Sequence, residues 1–75
     1  MYIYEGHMGI LYTSKRELTY KERQCSQCGD TDWLIGYATT KAEAWDLLKD
    51  KIDIDGSGGW DYDYVQEFIN KRWDN

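Results

Sequence analysis

The sequence predicts a small α+β domain: an antiparallel sheet of two hairpins, with three to four strands, followed by two helices packed on one face of that sheet. Strand-forming residues are concentrated in the first half of the chain, where glycine-containing turns separate them. Apolar residues recur at helical spacing in the second half, and a capping signal precedes each helical stretch. The length of 75 residues suits a single small domain with a small, aromatic-rich core.

Two short runs at the start of the chain predict the first hairpin. Residues 2–5 (YIYE) and 9–13 (GILYT) are rich in strand formers, and the glycine-containing turn G-H-M-G joins them. The segment 14–24 is mostly polar and is predicted as a loop. Its S-x-x-E pattern at Ser14 and Glu17 is typical of a capping box and indicates at most one helical turn.

The second hairpin is predicted around the two cysteines. Residues 21–25 lead in, the segment CSQCGDTD (25–32) reverses the chain, and WLIGYA (33–38) leads out as a strand. Since the outgoing strand is apolar on both faces, we expect it to occupy a central position in the sheet.

Two helices are predicted in the second half. Thr40 and Glu43 form a capping box, and the helix over about residues 41–51 carries one apolar stripe, comprising Ala44, Trp45, Leu48 and Ile52. The glycine-rich segment 53–59 ends this helix, because three glycines in four residues disfavour helical backbone. A second helix is predicted to begin after Asp61, its N-cap, and its apolar face comprises Tyr64, Val65, Phe68, Ile69 and Trp73.

The composition argues against several classes of function. The formal net charge is −5, and the acidic residues are concentrated after residue 24, so the chain lacks the basic stripe that direct nucleic-acid binding needs. No apolar run is long enough to span a bilayer and no secretory leader is recognisable, which predicts a cytoplasmic protein without a membrane partner. A single histidine and the lack of a recognisable acid–base or phosphate-binding motif predict that the protein is not an enzyme.

The C-x-x-C-G turn is a candidate half-site for zinc, because two thiolates at this spacing suit tetrahedral coordination. His7 is the one imidazole of the chain, so the predicted metal site combines Cys25, Cys28 and His7, with Asp30 or Asp32 as a fourth ligand. A site shared between two copies, in a homodimer, is another way to complete it. The alternative is that both cysteines are small apolar side chains in a structural turn. A thioredoxin-like redox role has little support, because the motif precedes an apolar strand and does not open a helix.

The segment between the two helices resembles a calcium loop in part. Asp53 and Asp55 stand at the first and third positions of an EF-hand pattern, but Tyr64 stands at the twelfth, where a bidentate glutamate is needed. The alternative is an ordinary glycine-rich turn between helices.

The acidic residues of the second half suggest a further hypothesis. They lie on the polar sides of the two helices and on the loop between them: Asp46, Asp50, Asp53, Asp55, Asp61, Asp63 and Glu67. Such a surface could mimic nucleic-acid phosphates and inhibit a nucleic-acid-binding protein. The alternative is a solubilising face, which is the usual role of exposed charge on helices.

Three segments together resemble a group of small bacterial proteins, some of them encoded on mobile elements: YEGHMGILYTSKREL, CSQCGDTDWLIGYATTKAEAWDLL and GSGGWDYDYVQEFI. The shared pattern is an N-terminal hairpin with a glycine turn, C-x-x-C-G-D-x-D-W, a T-x-x-E-A helix and a G-G-aromatic-D entry into the last helix. The resemblance implies no activity. It implies that Cys25, Cys28, Gly29, Asp30, Asp32 and Trp33 act as one unit.

These observations favour a non-enzymatic module that binds another protein. Tyrosine and tryptophan often carry interface energy, and the chain has seven and four of them, respectively. The residues expected at the contact surface are Asp30, Asp32, Trp33 and Trp60. The alternatives are a small zinc-binding protein that uses Cys25 and Cys28 with His7 or with a second chain, and an acidic nucleic-acid mimic.

Overall fold

The structure is a computed structural model of the chain and describes residues 1–7, 9–52 and 59–73. Within these residues it shows an α+β protein with a three-stranded antiparallel sheet, which confirms the predicted fold class. The elements, in chain order, are β1 (Tyr2–Glu5), β2 (Leu11–Ser14), α1 (Tyr20–Arg23), β3 (Trp33–Tyr37), α2 (Lys41–Leu48), a 3₁₀ turn (Lys49–Lys51) and α3 (Tyr62–Arg72).

The predicted first hairpin is present as β1 and β2, and its strand β1 is the centre of the sheet. The strand order is β2-β1-β3, with both neighbours antiparallel to β1. Two successive residues of β1, Ile3 and Tyr4, are fully buried. A register shift against β3 falls between these same two residues, and such an irregularity re-aims side chains that would otherwise alternate strictly between faces.

The predicted central position of the strand after the cysteines is wrong. β3 pairs only with β1 among the described strands and lies at an edge of the sheet. Large parts of its side chains are exposed, namely 72% of Trp33, 38% of Leu34 and 55% of Tyr37. An apolar run is therefore compatible with an edge strand here, because its pattern reports composition and not the number of neighbouring strands.

A short helix occupies the place of the expected strand over residues 21–25. Thr19 is the N-cap of α1: its hydroxyl accepts a hydrogen bond from Glu22 N–H at 3.2 Å, and the Glu22 carboxylate accepts one from Thr19 N–H at 2.9 Å. The capping box thus begins at Thr19 and not at Ser14, whose hydroxyl instead contacts the backbone of Arg16. The predicted second hairpin is reduced to one antiparallel bridge, between Gln24 and Thr31.

Glu22→Gln is expected to destabilise the protein at neutral pH, and this destabilisation should disappear at acidic pH. The hydrogen bond from Arg16, with those from Thr19, lowers the pKa of Glu22 from 4.5 to about 2. Because the folded state favours the ionised form, this stabilisation is complete above the ordinary pKa and is lost as the pH falls toward the folded-state value. In urea denaturation, the difference between variant and wild type should shrink steadily below about pH 4.5. Glu17→Gln is the control, and a difference that stayed constant with pH would contradict the prediction.

The two C-terminal helices form at the predicted places. In α2, Thr40 accepts a hydrogen bond from Glu43 N–H at 3.2 Å, and Ala44 and Leu48 are buried. In α3, which follows Asp61, the buried residues are Val65, Phe68 and Ile69, and Trp73 is buried just beyond the helix end.

The chain divides into two units, Met1–Tyr37 and Ala38–Asn75. The first contains the sheet and α1, and the second contains α2 and α3, which contact each other. That the chain is one domain, and that the helices cover one face of the sheet, stay predictions. No helix among the described residues is both long enough and apolar enough to cross a membrane.

Candidate metal centre

His7 lies in the loop between β1 and β2, where the backbone is held in a tight turn. Gly6 N–H donates to Ile10 C=O at 2.7 Å, and Gly9 N–H donates to Gly6 C=O at 3.0 Å. Gly9 has a φ of +84°, a conformation that favours glycine and closes the turn. This loop therefore presents His7 at the end of the sheet, next to the start of β3, since Glu5 pairs with Trp33.

The two cysteines lie in a second tight turn of the same unit. Gly29 N–H donates to Cys25 C=O at 3.0 Å, and Cys25 N–H donates to Asp30 C=O at 2.7 Å. Gly29 has a φ of +80°, so the residue after the second cysteine is one that tolerates left-handed backbone. The turn brings the two cysteines, three positions apart in the sequence, together on one side.

Backbone amides favour the thiolate form of Cys25. Hydrogen bonds from the backbone N–H groups of Cys28 and Gln27, and from the Cys28 thiol, lower the pKa of Cys25 to about 7. Cys28 accepts a hydrogen bond from Asp30 N–H, but its pKa is raised, because the contact with Cys25, burial and nearby negative charge together outweigh that bond. A turn in which N–H groups point at a sulfur atom is suited to a metal-bound thiolate.

The fold brings His7, Cys25 and Cys28 together. One ligand atom from each of these side chains lies within 4.8 Å of the other two, and the described residues show this three-membered group without a carboxylate in it. Cys25 is half-buried and Cys28 is exposed, so the group lies at the surface of its unit. The three donors predicted from the sequence are therefore neighbours in space, although His7 is separated from the cysteines by 18 and 21 positions.

Asp32, which is predicted as a metal ligand or a contact residue, is not a member of the three-donor group; it forms hydrogen bonds with His7. Asp32 Oδ1 accepts hydrogen bonds from His7 Nδ1–H at 2.8 Å and from the His7 backbone N–H at 2.9 Å. The hydrogen bond from the His7 ring to the Asp32 carboxylate raises the pKa of His7. With Nδ1 engaged as a donor, the lone pair of Nε2 is the one that can bind a metal ion.

Tyr12 and Arg23 hold Asp32 in turn. The Tyr12 hydroxyl donates to Asp32 Oδ2, and burial together with this bond raises the pKa of Tyr12. Burial alone would raise the pKa of Asp32, but the hydrogen bonds from Tyr12 and His7 hold it below its ordinary value. Arg23 Nη1–H donates to the Asp32 carbonyl at 3.1 Å, and Asp32 N–H donates to the Arg23 carbonyl at 2.9 Å. No pattern in the sequence indicates the role of Tyr12, because a tyrosine in a strand is also typical of a core.

An open cleft adjoins His7 and the turn that carries the two cysteines. It has a volume of about 600 Å³, and its lining includes His7, Gly29, Asp30, Glu5 and Trp33. His7 and the residue next to Cys28 thus lie at its wall. The candidate metal centre is accessible to a small molecule or to a side chain of another protein.

The remaining predicted contact residues are not members of the three-donor group. Asp30 is exposed, and Trp33 is the most exposed large apolar side chain among the described residues, at 72%. Trp60 belongs to the other unit, is half-buried, and stacks on Tyr64 with ring centroids 5.6 Å apart. The proposed use of these residues in protein binding stays a prediction.

The structure gives little support to the candidate calcium loop and to the acidic face as a nucleic-acid mimic. Most of the candidate calcium loop, residues 53–58, lies outside the described residues. On the acidic face, the side chain of Glu67 pairs with Lys71 at 2.8 Å, and that of Asp46 lies 3.4 Å from Lys49. These pairs lower the net negative charge of the surface that a nucleic-acid mimic would need.

Comparisons of the chain with protein-family profiles, with curated proteins and with solved structures gave no match. The resemblance to small bacterial proteins stays a prediction, and function is inferred from the geometry of the site.

Proposed function

We propose that this protein is a small zinc-binding module in which His7 Nε2 and the sulfur atoms of Cys25 and Cys28 coordinate the ion. The observation that supports this most strongly is the approach of these three donors, from two separate turns, to within 4.8 Å of one another. A pair of cysteines in one turn has a structural explanation on its own. An imidazole from a distant loop that lies within 4.8 Å of both sulfur atoms is better explained by a metal ion that all three side chains bind.

The spacing of the donors fits a zinc ion. Tetrahedral coordination with Zn–S near 2.3 Å and Zn–N near 2.0–2.1 Å places the donor atoms roughly 3.5–3.8 Å apart. The observed upper limit of 4.8 Å exceeds this by about 1 Å, which small side-chain rotations can close. Two thiolates and one imidazole are soft and borderline ligands that favour zinc over magnesium or calcium.

The bound ion would connect the two turns that frame one end of the sheet. A domain of this size buries a limited core, so a metal that binds only the folded state adds directly to its stability. The contact between His7 and Asp32 is the arrangement expected around a metal-bound imidazole, in which a carboxylate fixes the tautomer and the ring orientation.

The direct test is the metal content of the protein purified without chelators. The proposal predicts about one zinc ion per chain by elemental analysis, and no zinc in a variant that lacks both cysteines. Absence of zinc from the wild-type protein, combined with failure to take up added Zn²⁺, would refute it.

Asp32→Asn is expected to lower the affinity for Zn²⁺ roughly 10–100-fold, as is typical for residues that orient a ligand. The substitution keeps the size of the side chain but removes the charge that supports the imidazole. The matched control is Asp30→Asn, two positions away and exposed, which should leave the affinity within about twofold of wild type. Competition with a chromophoric chelator measures the Zn²⁺ affinity of both variants. A larger loss in the Asp30 variant would identify that carboxylate as a ligand and overturn the role given to Asp32.

A second candidate function, binding of a protein partner, is supported by the exposure of β3. An edge strand that exposes large parts of Trp33, Leu34 and Tyr37 is an unusual surface, because natural edges are commonly protected by charge or by covering segments. We propose that a partner covers this strand.

Photo-crosslinking from position 37 should capture one protein in the native host extract, and Leu34→Lys should abolish the capture. Capture unaffected by Leu34→Lys would contradict the proposal.

A further inference from the structure

We propose that zinc at His7, Cys25 and Cys28 keeps a fourth coordination position that opens on the adjoining cleft and accepts a neutral nitrogen donor, the imidazole of a histidine on a protein partner. This inference rests on the proposed zinc site and specifies what binds there. It is carried by four observations: the number of donors, the position of the cleft, the charges in its lining and the exposed Trp33 ring beside them.

The donor set leaves room for an external ligand. Zinc in proteins takes four ligands when its role is structural and keeps one position exchangeable when three protein ligands bind it. In the part of the chain that the structure describes, the group of neighbouring donors comprises three side chains. Neither Asp30 nor Asp32 belongs to it, and the carboxylate of Asp32 is already held by His7 and Tyr12.

The cleft lies where a fourth ligand would approach. Its wall includes the donor His7 from the first turn and Gly29, the residue that follows Cys28, from the second, so it adjoins one donor and the turn that carries the other two. Its volume of about 600 Å³ is within the usual range for binding sites and exceeds what an imidazole ring needs. Gly29 carries no side chain that would narrow the approach from the cysteine turn.

Charge selects the kind of ligand. Two thiolates balance the double positive charge of the zinc ion, and a neutral His7 adds none. The carboxylates of Glu5 and Asp30 line the same cleft and make its potential negative. An anionic ligand such as a carboxylate or azide is repelled under these conditions, whereas a neutral imidazole is not.

Trp33 gives the cleft a surface that suits an aromatic ring. Its indole is 72% exposed and forms part of the lining. A histidine side chain entering the cleft can stack on this ring, since aromatic rings attract one another at centroid distances of about 4.5–7 Å. Among neutral nitrogen donors, imidazole is therefore favoured over an aliphatic amine, which is also mostly protonated at neutral pH.

The test uses the full chain loaded with Co²⁺ in place of Zn²⁺, because the absorption bands of cobalt report its ligands. We expect saturable changes in the d–d bands on titration with N-acetylhistidine amide, with the thiolate-to-cobalt charge-transfer band retained. Azide at equal concentration should produce at least tenfold weaker binding. The double variant Glu5→Gln, Asp30→Asn should reduce the difference between the two affinities by raising the affinity for azide, while Lys21→Gln, at a residue outside the cleft lining, serves as the control.

The outcomes separate the two proposals. If the charge-transfer band is absent, the cysteines do not bind the metal and the proposed function itself fails. If that band is present but imidazole leaves the d–d bands unchanged, the coordination sphere is closed by the protein and the inference is overturned. Preference for azide over the imidazole ligand would also overturn it, since the charge of the cleft would then not select the ligand.

Discussion

Cys28→Ser is expected to abolish stoichiometric zinc binding and to lower the unfolding temperature, measured in zinc-containing buffer, by roughly 10–20 °C. A ligand present at 100 times its dissociation constant stabilises the folded state by about 2.7 kcal/mol, and 1 kcal/mol shifts the melting temperature of a domain this small by about 4–8 °C. Cys28 is exposed, so the substitution should cost little packing. Differential scanning fluorimetry with defined free zinc measures the shift.

The metal-free protein provides the internal comparison. EDTA should lower the melting temperature of the wild type to that of Cys28→Ser and should leave the variant unchanged. Ser26→Ala, a substitution between the cysteines at an exposed position, is the control for local disturbance of the turn. A wild type that melts at the same temperature with and without EDTA would show that metal does not contribute to its stability.

Tyr4→Ala is expected to reduce the free energy of unfolding by about 3–5 kcal/mol, the usual cost of truncating a buried aromatic side chain. Tyr4 is fully buried in the central strand, and its ring stacks on Tyr12 with centroids 5.4 Å apart. Its hydroxyl also accepts a hydrogen bond from Leu18 N–H at 2.7 Å, so the variant leaves that donor without its partner. A loss of this size is a large share of the stability of a small domain. Urea denaturation followed by tryptophan fluorescence measures it.

Two further variants separate the contribution of the Tyr4 hydroxyl from that of its ring and show the cost of truncating an exposed tyrosine. Tyr4→Phe keeps the ring and removes the acceptor, and should cost about 1–1.5 kcal/mol. Tyr20→Ala, at a tyrosine that is 62% exposed, should change the free energy of unfolding by less than about 1 kcal/mol. Equal costs for Tyr4→Ala and Tyr20→Ala would mean that the central strand does not provide the core of this unit.

The donors of the candidate site could be predicted from the sequence because they are chemically distinctive. The chain holds one histidine and two cysteines, and the spacing of Cys25 and Cys28 identifies a turn that can present both sulfur atoms. The role of Asp32 could not be predicted, since a carboxylate near two cysteines fits a ligand, a contact residue or a turn equally well. Only the register of the first hairpin against β3 places His7 and Tyr12 on the two oxygen atoms of Asp32.

The apolar pattern of the sequence does not predict the order of the strands in the sheet correctly. WLIGY reads as a central strand because apolar residues occupy both of its faces, yet β1 is central and β3 is an edge. The sequence holds two capping patterns in this segment, at Ser14 and at Thr19, and only the one at Thr19 begins a helix; Ser14 is the last residue of β2. Ser14 is paired with Tyr2 in the sheet, so its backbone is extended and no helix follows it directly.

The sequence by itself determined the α+β class, the first hairpin, the presence of the two C-terminal helices and the three candidate metal donors. Each of these depends on short-range chemistry: side-chain periodicity, capping residues, glycine turns and the ligand preference of sulfur and imidazole. The tertiary structure alone decided that β1 is the central strand, that His7 lies close to the two cysteines, and that Asp32 holds the imidazole and is not a member of the three-donor group. These depend on pairing between residues far apart in the chain, and the energy of such pairing is set by register and burial, which no local pattern encodes.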